Sequence, residues 1–300
     1  MIPIRSPRGV SGAPGGGGAS DGGLSRYADF AAQVDVQIDK LIDIKQEIAA
    51  VGVGFVDTVM AGAAGKDDLA AVALGSSAFA TVFVTLMGVM TALNPTISQL
   101  WGAGKQSEVG ETGRQGLWFG LLLGVIGMVL LLAAIVPFMA YLELSDKVEH
   151  MLAWYLGFVA LAMPAAMLHR ALHAYASSLN RPKPIMWVSW AALLLNIPLN
   201  YLLIYGVWGF PELGGVGCGF ASAGAMWFMA IAMTVYVLKS PSYQQCRLFQ
   251  HYIGWQWDSI RRIFKLGAPI ALALFCEVTL FTVVALLLAP LGPEIVASHQ

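Results

Sequence analysis

Long apolar segments recur along most of this chain. Seven of them follow Glu47, and six reach the length of about 20 residues that a helix needs to cross about 30 Å of hydrocarbon. They lie at about residues 48–62, 69–93, 116–141, 151–172, 186–206, 214–238 and 264–289. This pattern predicts an all-α fold, a polytopic transmembrane helix bundle with about seven spans, because a helix satisfies its own backbone polar groups inside a bilayer.

The composition agrees with a membrane protein. Hydrophobic residues make up 57% of the chain and charged residues only 12%, whereas a soluble domain carries about 25% charged residues. The net charge of -1 provides no basic field for nucleic acid, so that class of partner is excluded. Cys218, Cys246 and Cys276 lack metal-ligand spacing and indicate no metal site.

The amino-terminal region differs from the rest. Residues 1–30 contain the run GVSGAPGGGGASDGG, which buries too little apolar surface to fold and predicts a disordered tail. Residues 31–47 predict a polar amphipathic helix that does not span the membrane. The first apolar segment, 48–62, would form only about 22 Å of helix, too short to cross alone. Either it continues through the preceding charged helix, or the chain does not begin at its natural start.

Basic residues in the short loops predict the orientation, because Lys and Arg are retained on the cytoplasmic side. The connections after the second, fourth and sixth segments are rich in them, and those after the first, third and fifth are not. The basic residues of the former connections are Lys105, Arg114, Arg181, Lys183, Lys239, Arg247, Arg261, Arg262 and Lys265. The amino terminus is therefore predicted to be cytoplasmic.

Two acidic residues, Asp57 and Glu277, lie inside apolar segments. A carboxylate at membrane depth costs several kcal/mol unless it is solvated, paired or protonated, so both are candidate functional residues. For Asp57 the alternative is a hydrated position in a glycine-containing loop near the surface.

Three further polar residues are predicted at the depth of Asp57. With a rise of 1.5 Å per residue, Asp57 lies about 8 Å below the outer surface and Ser222 about 12 Å below it. Asn200 lies at a similar depth, with Asn196 one turn deeper on the same helix face. Their oxygens form a set suited to Na+, or to a proton on Asp57 with amide partners, if the first, fifth and sixth helices are neighbours. Alternatively, the two amides only bond helices together.

His169 and His173 are spaced i,i+4, as in some zinc sites. No third ligand accompanies them, and packing near the basic end of their span is the favoured interpretation. Motifs of intramembrane hydrolases, such as HExxH or GxGD, are missing. The sequence therefore predicts that the protein is not an enzyme.

Four segments carry a family resemblance: VGVGFVDTVMAGAAGKDDLAAVALGSSAFA, PAAMLHRALHAYASSLNRPKPIM, LNIPLNYLLIYG and LGGVGCGFASA. Over about residues 49–300 the chain resembles the NorM-type branch of the MATE (multidrug and toxic compound extrusion) transporters. The resemblance implies twelve helices in two six-helix lobes, and export of organic cations and other drugs in exchange for Na+ or H+. It matches Asp57 to the acid of the first helix, Asn196 and Asn200 to the amides of the fifth, and Ser222 to a hydroxyl position. Glu277 matches the acid of the seventh helix.

The resemblance also implies a division of the chain. Residues 48–238 correspond to the amino-terminal six-helix lobe, 239–263 to a cytoplasmic linker between lobes, and 264–300 to the start of a truncated second lobe. Residues 1–48 differ from the family's opening, and five helices are absent after Gln300.

The resulting prediction is secondary active multidrug efflux across the bacterial inner membrane, by a protein that is monomeric at full length. Asp57, Asn196, Asn200 and Ser222 would bind the coupling Na+ or H+, and Glu277 a cation or the substrate. Cationic drugs and the lipid bilayer are the other expected partners, with no cofactor besides the coupling ion. The alternative is a truncated membrane fragment that does not transport.

Overall fold

A computed structural model of the protein describes residues 21–141, 145–209, 211–244, 248 and 254–288. The regular elements in these ranges are all helical, which confirms the predicted all-α class. A short 3-10 turn, Val207–Gly209, follows the sixth helix. The α-helices are α1 (Asp21–Ala64), α2 (Lys66–Thr91), α3 (Leu93–Gly102), α4 (Gln106–Tyr141), α5 (Asp146–Ser178), α6 (Lys183–Tyr205), α7 (Gly215–Lys239), α8 (Pro241–Gln244) and α9 (Trp257–Leu288).

Six segments of the described chain are long and apolar enough to cross a membrane. They are Lys66–Gly102, Gln106–Pro137, Asp146–Ser178, Lys183–Tyr205, Gly215–Lys239 and Trp257–Leu280. A seventh apolar helical segment, Val51–Ala64, is shorter. The polytopic bundle is thus confirmed, and the first predicted segment is the short one, as its length had indicated. Helices α2 and α3 together form one span.

The chain divides into two compact units, residues 1–41 and 42–300. In the first unit the described residues, 21–41, are helical and belong to α1. The predicted disordered tail therefore differs from the structure over 21–30, and residues 1–20 lie outside the described residues. The reason is compositional: the glycine run ends at Gly23, and the following LSRYADFAAQ favours helix. Helix α1 contains both the charged residues and the first apolar segment.

The core of the second unit is built around α5, which packs against α2, α3, α4 and α7. Met163, Met167, Leu172 and Tyr175 of α5 are almost fully buried in this core. Small residues allow the closest helix approaches. On α4, a Cβ at Gly124 would lie 2.5 Å from the Cα of Pro164, so the α4–α5 contact requires glycine at that position.

Described residues between α7 and α9, within the region predicted as a linker between lobes, are bonded to α4. The Gln115 side chain of α4 donates from Nε2 to the carbonyl of Gly254 (2.9 Å) and accepts at Oε1 from the backbone amide of Gln256 (3.0 Å). Arg114 Nη1 donates to the carbonyl of Leu248 at 3.1 Å. Helix α9, which follows, packs mainly on α2.

Candidate ion-binding site

Asp57 lies on the buried face of α1. Its side chain is 6% exposed, and Ala61, one turn further on, is fully buried, whereas Phe55 and Val59 are 68% and 53% exposed. The helical period alone separates these faces, because i and i+4 share a side of the helix. The hydrated loop that the sequence left open for Asp57 is excluded, since the residue is buried within a helix.

Asn200 of α6 bonds directly to the Asp57 carboxylate. Its Nδ2 donates to Asp57 Oδ1 at 2.6 Å and to Asn196 Oδ1 at 2.9 Å. Both amides are fully buried, and Pro198 between them is exposed. The i,i+4 spacing predicted that the two amides share a face, and the structure turns that face toward α1.

Helix α7 contributes the other contacts of the carboxylate. Ser222 Oγ donates to Asp57 Oδ2. One turn earlier, Cys218 Sγ donates to the backbone carbonyl of Asp57 at 3.6 Å. The four residues Asp57, Asn196, Asn200 and Ser222, called the Asp57 cluster, therefore lie together, because α1, α6 and α7 meet here. Cys218 was not predicted as a neighbour, although its i,i+4 spacing from Ser222 would have placed it on the same face.

The Asp57 carboxylate has only neutral donors around it. The two ion pairs found in the described part of the chain join Lys105 to Glu108 and Lys147 to Asp67, and neither involves the cluster. A buried carboxylate without a basic partner favours binding of a cation or a proton. Within the cluster, the buried Asn200 Oδ1 has no hydrogen-bond donor and the buried Asn196 Nδ2 has no acceptor. The Asn200 oxygen is therefore a candidate ligand for a cation beside the carboxylate and hydroxyl oxygens.

Glu277 is not part of this cluster. Its side chain is exposed on α9, and α9 contacts α2, α3 and α4. The cation-binding or substrate-binding role of Glu277 stays a prediction.

The His169 and His173 rings lie near each other on α5, with centroids 6.4 Å apart. In the part of the chain that the structure describes, no group of three or more His, Cys, Asp or Glu side chains could hold a metal ion. The Nδ1 atoms of both rings are buried without a hydrogen-bond partner. His169 is buried and His173 is half-buried on α5, and packing stays the favoured interpretation of the pair.

The sequence of this helix bundle matches a known family. The model of the MatE family matches residues 45–202, more than half of the chain and a region that holds Asp57, Asn196 and Asn200. The chain belongs to the MatE family. The resemblance noted from the sequence is thereby confirmed.

Relatives in the MatE family include NorM proteins. The chain is 58% identical over 254 residues to the "probable multidrug resistance protein NorM" of Neisseria meningitidis serogroup A, and 40% identical over 255 residues to the "multidrug resistance protein NorM" of Vibrio cholerae serotype O1. The alignments cover 85% and 84% of this chain but 55% of each relative. The chain therefore spans about half the length of these MatE relatives.

Solved MatE structures share the fold. The MATE transporter NorM-NG, solved in complex with a dye and a monobody, superposes with a TM-score of 0.70 at 49% sequence identity, over 85% of this chain and 55% of that one. The eukaryotic MATE transporter AtDTX14 gives a TM-score of 0.71 at 19% identity, with the same two coverages. The helix arrangement of this chain is thus that of the corresponding half of MATE transporters.

Proposed function

We propose that this MatE-family chain serves secondary active efflux of organic cations and other drugs in exchange for Na+ or H+, and that Asp57 carries the coupling ion. The observation that carries the proposal is the buried Asp57 carboxylate, which accepts hydrogen bonds from α6 and α7 and pairs with no basic side chain in the described residues. Its relatives are named as multidrug resistance proteins. This is a transport function and not an enzymatic reaction.

The Asp57 cluster suggests how an ion would act. Na+ would be coordinated by oxygens of Asp57, Asn200 and Ser222, and a proton would convert Asp57 from an acceptor to a donor. Either ion neutralises the carboxylate and replaces some of its bonds to α6 and α7. The packing of α1 against these helices then changes, and the ion favours whichever arrangement binds it more tightly. Release of a cationic substrate would follow that change.

The proposal also includes the membrane, the orientation, the oligomeric state and a second binding residue. The amino terminus would be cytoplasmic, the membrane would be the bacterial inner membrane, and the full-length protein would be monomeric. Glu277 would bind a second cation or the positive charge of the drug. Because NorM-NG was solved with a bound dye, a fluorescent organic cation such as ethidium is a suitable first substrate to test.

The test is gradient-driven efflux of ethidium from bacterial cells that lack their own efflux pumps. Cells would express the chain, its Asp57→Asn variant or its Asp67→Asn variant, and imposed Na+ and H+ gradients would be compared. Asp67 is the matched control, because it is a nearby acid whose carboxylate pairs with Lys147 at the surface. We expect Asp57→Asn to abolish ion-driven efflux and Asp67→Asn to retain it. Equal efflux by all three proteins would exclude Asp57 as the coupling residue.

A non-transporting fragment is the second candidate, since the chain spans 55% of its curated relatives. Ion binding by the purified chain separates the two candidates. A chain that binds Na+ or H+ through Asp57 but shows no efflux of ethidium is a half-transporter with an intact ion site. Efflux by the chain alone contradicts the fragment interpretation.

A further inference from the structure

Asp68 is a second buried acid, and neither the motifs nor the proposed function accounts for it. It lies in the first turn of α2, and its side chain is 7% exposed. Neither ion pair of the described residues involves it. Its neighbour Asp67 differs in both respects, because it is partly exposed and pairs with Lys147.

The Asp68 carboxylate bonds to the start of another helix. Asp68 Oδ1 accepts from the backbone amide of Gly215, the first residue of α7, at 2.6 Å. Helix α7 has no side-chain cap of its own, because its N-cap residue is Gly214 and its first turn contains no acidic residue. A carboxylate is a favourable acceptor for the unpaired amides and positive dipole at a helix amino terminus. Asp68 therefore caps α7 from α2.

Three glycines lie close to Asp68, two against its carboxylate and one against its backbone. A Cβ at Gly214 would collide with Asp68 Oδ1, one at Gly65 would lie 2.7 Å from Asp68 Oδ2, and one at Gly215 would lie 3.0 Å from the Asp68 carbonyl. Gly214 also has φ of +57° and ψ of -137°, a combination that residues other than glycine rarely adopt. The start of the run GGVGCGF thus serves the contact with Asp68.

The two residues just before α7 are hydrogen-bonded to α6. The backbone amide of Leu213 donates to the carbonyl of Leu203 (2.9 Å), and that of Gly214 donates to the carbonyl of Ile204 (3.3 Å). Ile204 lies one helical turn after Asn200. The residues that begin α7 are therefore held at once by α6, which carries the amides of the cluster, and by α2 through Asp68.

This turn sets the position of the cluster residues on α7. Gly215, Cys218 and Ser222 are spaced i, i+3 and i+7, so they share one face of the helix, and about 10 Å separates Gly215 from Ser222 along the axis. Asp57 and Asp68 lie on consecutive helices joined only by Gly65. The backbone bond from Gly65 to Ala61 holds that connection (3.1 Å).

We infer that Asp68 is a positioning residue of the ion site: its carboxylate fixes the first turn of α7, and thereby the register of Ser222 and Cys218 against Asp57. Asp68 does not touch the ion. It acts through α7, because displacing α7 along or around its axis moves Ser222 away from the carboxylate. The inference rests on the proposed function for the ion, but the geometry it asserts can be measured independently.

Cys218 provides that measurement. Its thiol is fully buried and bonds to the Asp57 carbonyl, so its alkylation reports opening of this turn. The full chain would be purified in detergent with Cys246→Ser and Cys276→Ser, and alkylation by N-ethylmaleimide would be timed on the monodisperse, folded fraction. Asp68→Ala is expected to speed alkylation at least about tenfold, because local opening then no longer has to break the Asp68–Gly215 bond. The control Asp67→Asn is expected to stay within about twofold of the parent.

Rescue separates positioning from general destabilisation. Asp68→Asn keeps an oxygen that can accept from Gly215, so Cys218 should stay protected to within about threefold. If Asp68→Ala does not yield folded protein, Asp68→Ser replaces it, since the shorter hydroxyl does not reach the Gly215 amide. Alkylation of the folded Asp68→Ala or Asp68→Ser protein at the rate of Asp67→Asn would overturn the inference.

Ion affinity provides the second measurement. Na+ binding would be titrated calorimetrically on the same proteins, and pH dependence would be recorded. We expect Asp68→Ala to weaken Na+ binding at least about tenfold, with Asp68→Asn recovering most of it. If the parent chain binds no ion, the proposed function fails while alkylation still tests the positioning role. If alkylation rises but the affinity is unchanged, Asp68 only caps α7 and the inference is wrong.

Discussion

Asp57 accepts hydrogen bonds at both carboxylate oxygens, one from Asn200 and one from Ser222. These donors are neutral, so they orient the carboxylate without cancelling its charge. An unpaired buried carboxylate is costly, and a monovalent cation or a proton removes that cost. At the scale of single residues, the contribution of each donor should therefore appear in ion affinity.

Replacing Ser222 tests one ligand of the site. Ser222→Ala is expected to weaken Na+ binding about tenfold, or about 1.4 kcal/mol, because one oxygen ligand is lost next to a charged group. The measurement is a calorimetric Na+ titration of the purified chain. Thr58→Ala is the control, since the Thr58 hydroxyl donates to the Gly54 carbonyl of its own helix and should leave the affinity within about twofold. Equal affinities of the two variants would remove Ser222 from the ion site.

At the scale of helices, the bundle depends on glycine positions where two helices lie too close for any side chain. The contact of α4 with α5 is the clearest, because Gly124 faces the backbone of Pro164 and Gly120 faces the carbonyl of Met167. Backbone atoms cannot move aside as a flexible side chain can. These contacts support α5, and α5 packs against α7, which carries Ser222 of the candidate ion site.

Gly124→Ala should therefore destabilise the chain. We expect a loss of about 1–3 kcal/mol from overpacking, measured as a lower midpoint of thermal unfolding in detergent. Gly157→Ala in α5 is the matched control, because it adds the same methyl group and nothing lies within 4 Å of the added Cβ. Alanine favours helix by about 1 kcal/mol relative to glycine, so this control should be neutral or stabilising. A midpoint equally high for both variants would show that α4 can shift away from α5.

At the scale of the whole molecule, the segment that leads into α9 is anchored to α4. Gln115 is fully buried and makes paired bonds with Gly254 and Gln256. Helix α9 then packs on α2. The two helices are so close that a Cβ at Gly267 would collide with the carbonyl of Val89. In a two-lobe transporter, this anchor would fix where the second lobe begins.

Removing the Gln115 side chain should release that anchor. In Gln115→Ala, the Gln256 amide loses its acceptor, so its hydrogen exchange is expected to be at least about tenfold faster. Exchange measured by mass spectrometry on peptides that contain Gln256 checks this. Gln99→Ala is the control, because the Gln99 side chain is exposed near the end of α3. Unchanged exchange in Gln115→Ala would mean that other contacts hold the segment.

The sequence by itself determined the class of this protein and predicted a common depth for the residues of its candidate site. The lengths of the apolar segments alone predict membrane spans. The fixed rise per residue of a helix predicts that Asp57, Asn200 and Ser222 lie at a similar depth in the membrane. The family resemblance was equally readable, because it depends on local motifs. These inferences needed only properties that are local along one helix.

Only the tertiary structure decided which helices are neighbours and which faces they turn to each other. That α1, α6 and α7 meet, that Cys218 joins Asp57, and that Glu277 stays apart all depend on packing between residues more than 100 positions distant in sequence. Asp68 shows the limit most clearly. In the sequence KDD it cannot be told from Asp67, yet one carboxylate faces a surface lysine and the other is buried against the start of α7. That difference arises from where the first turn of α7 lies against α2, which no local pattern encodes.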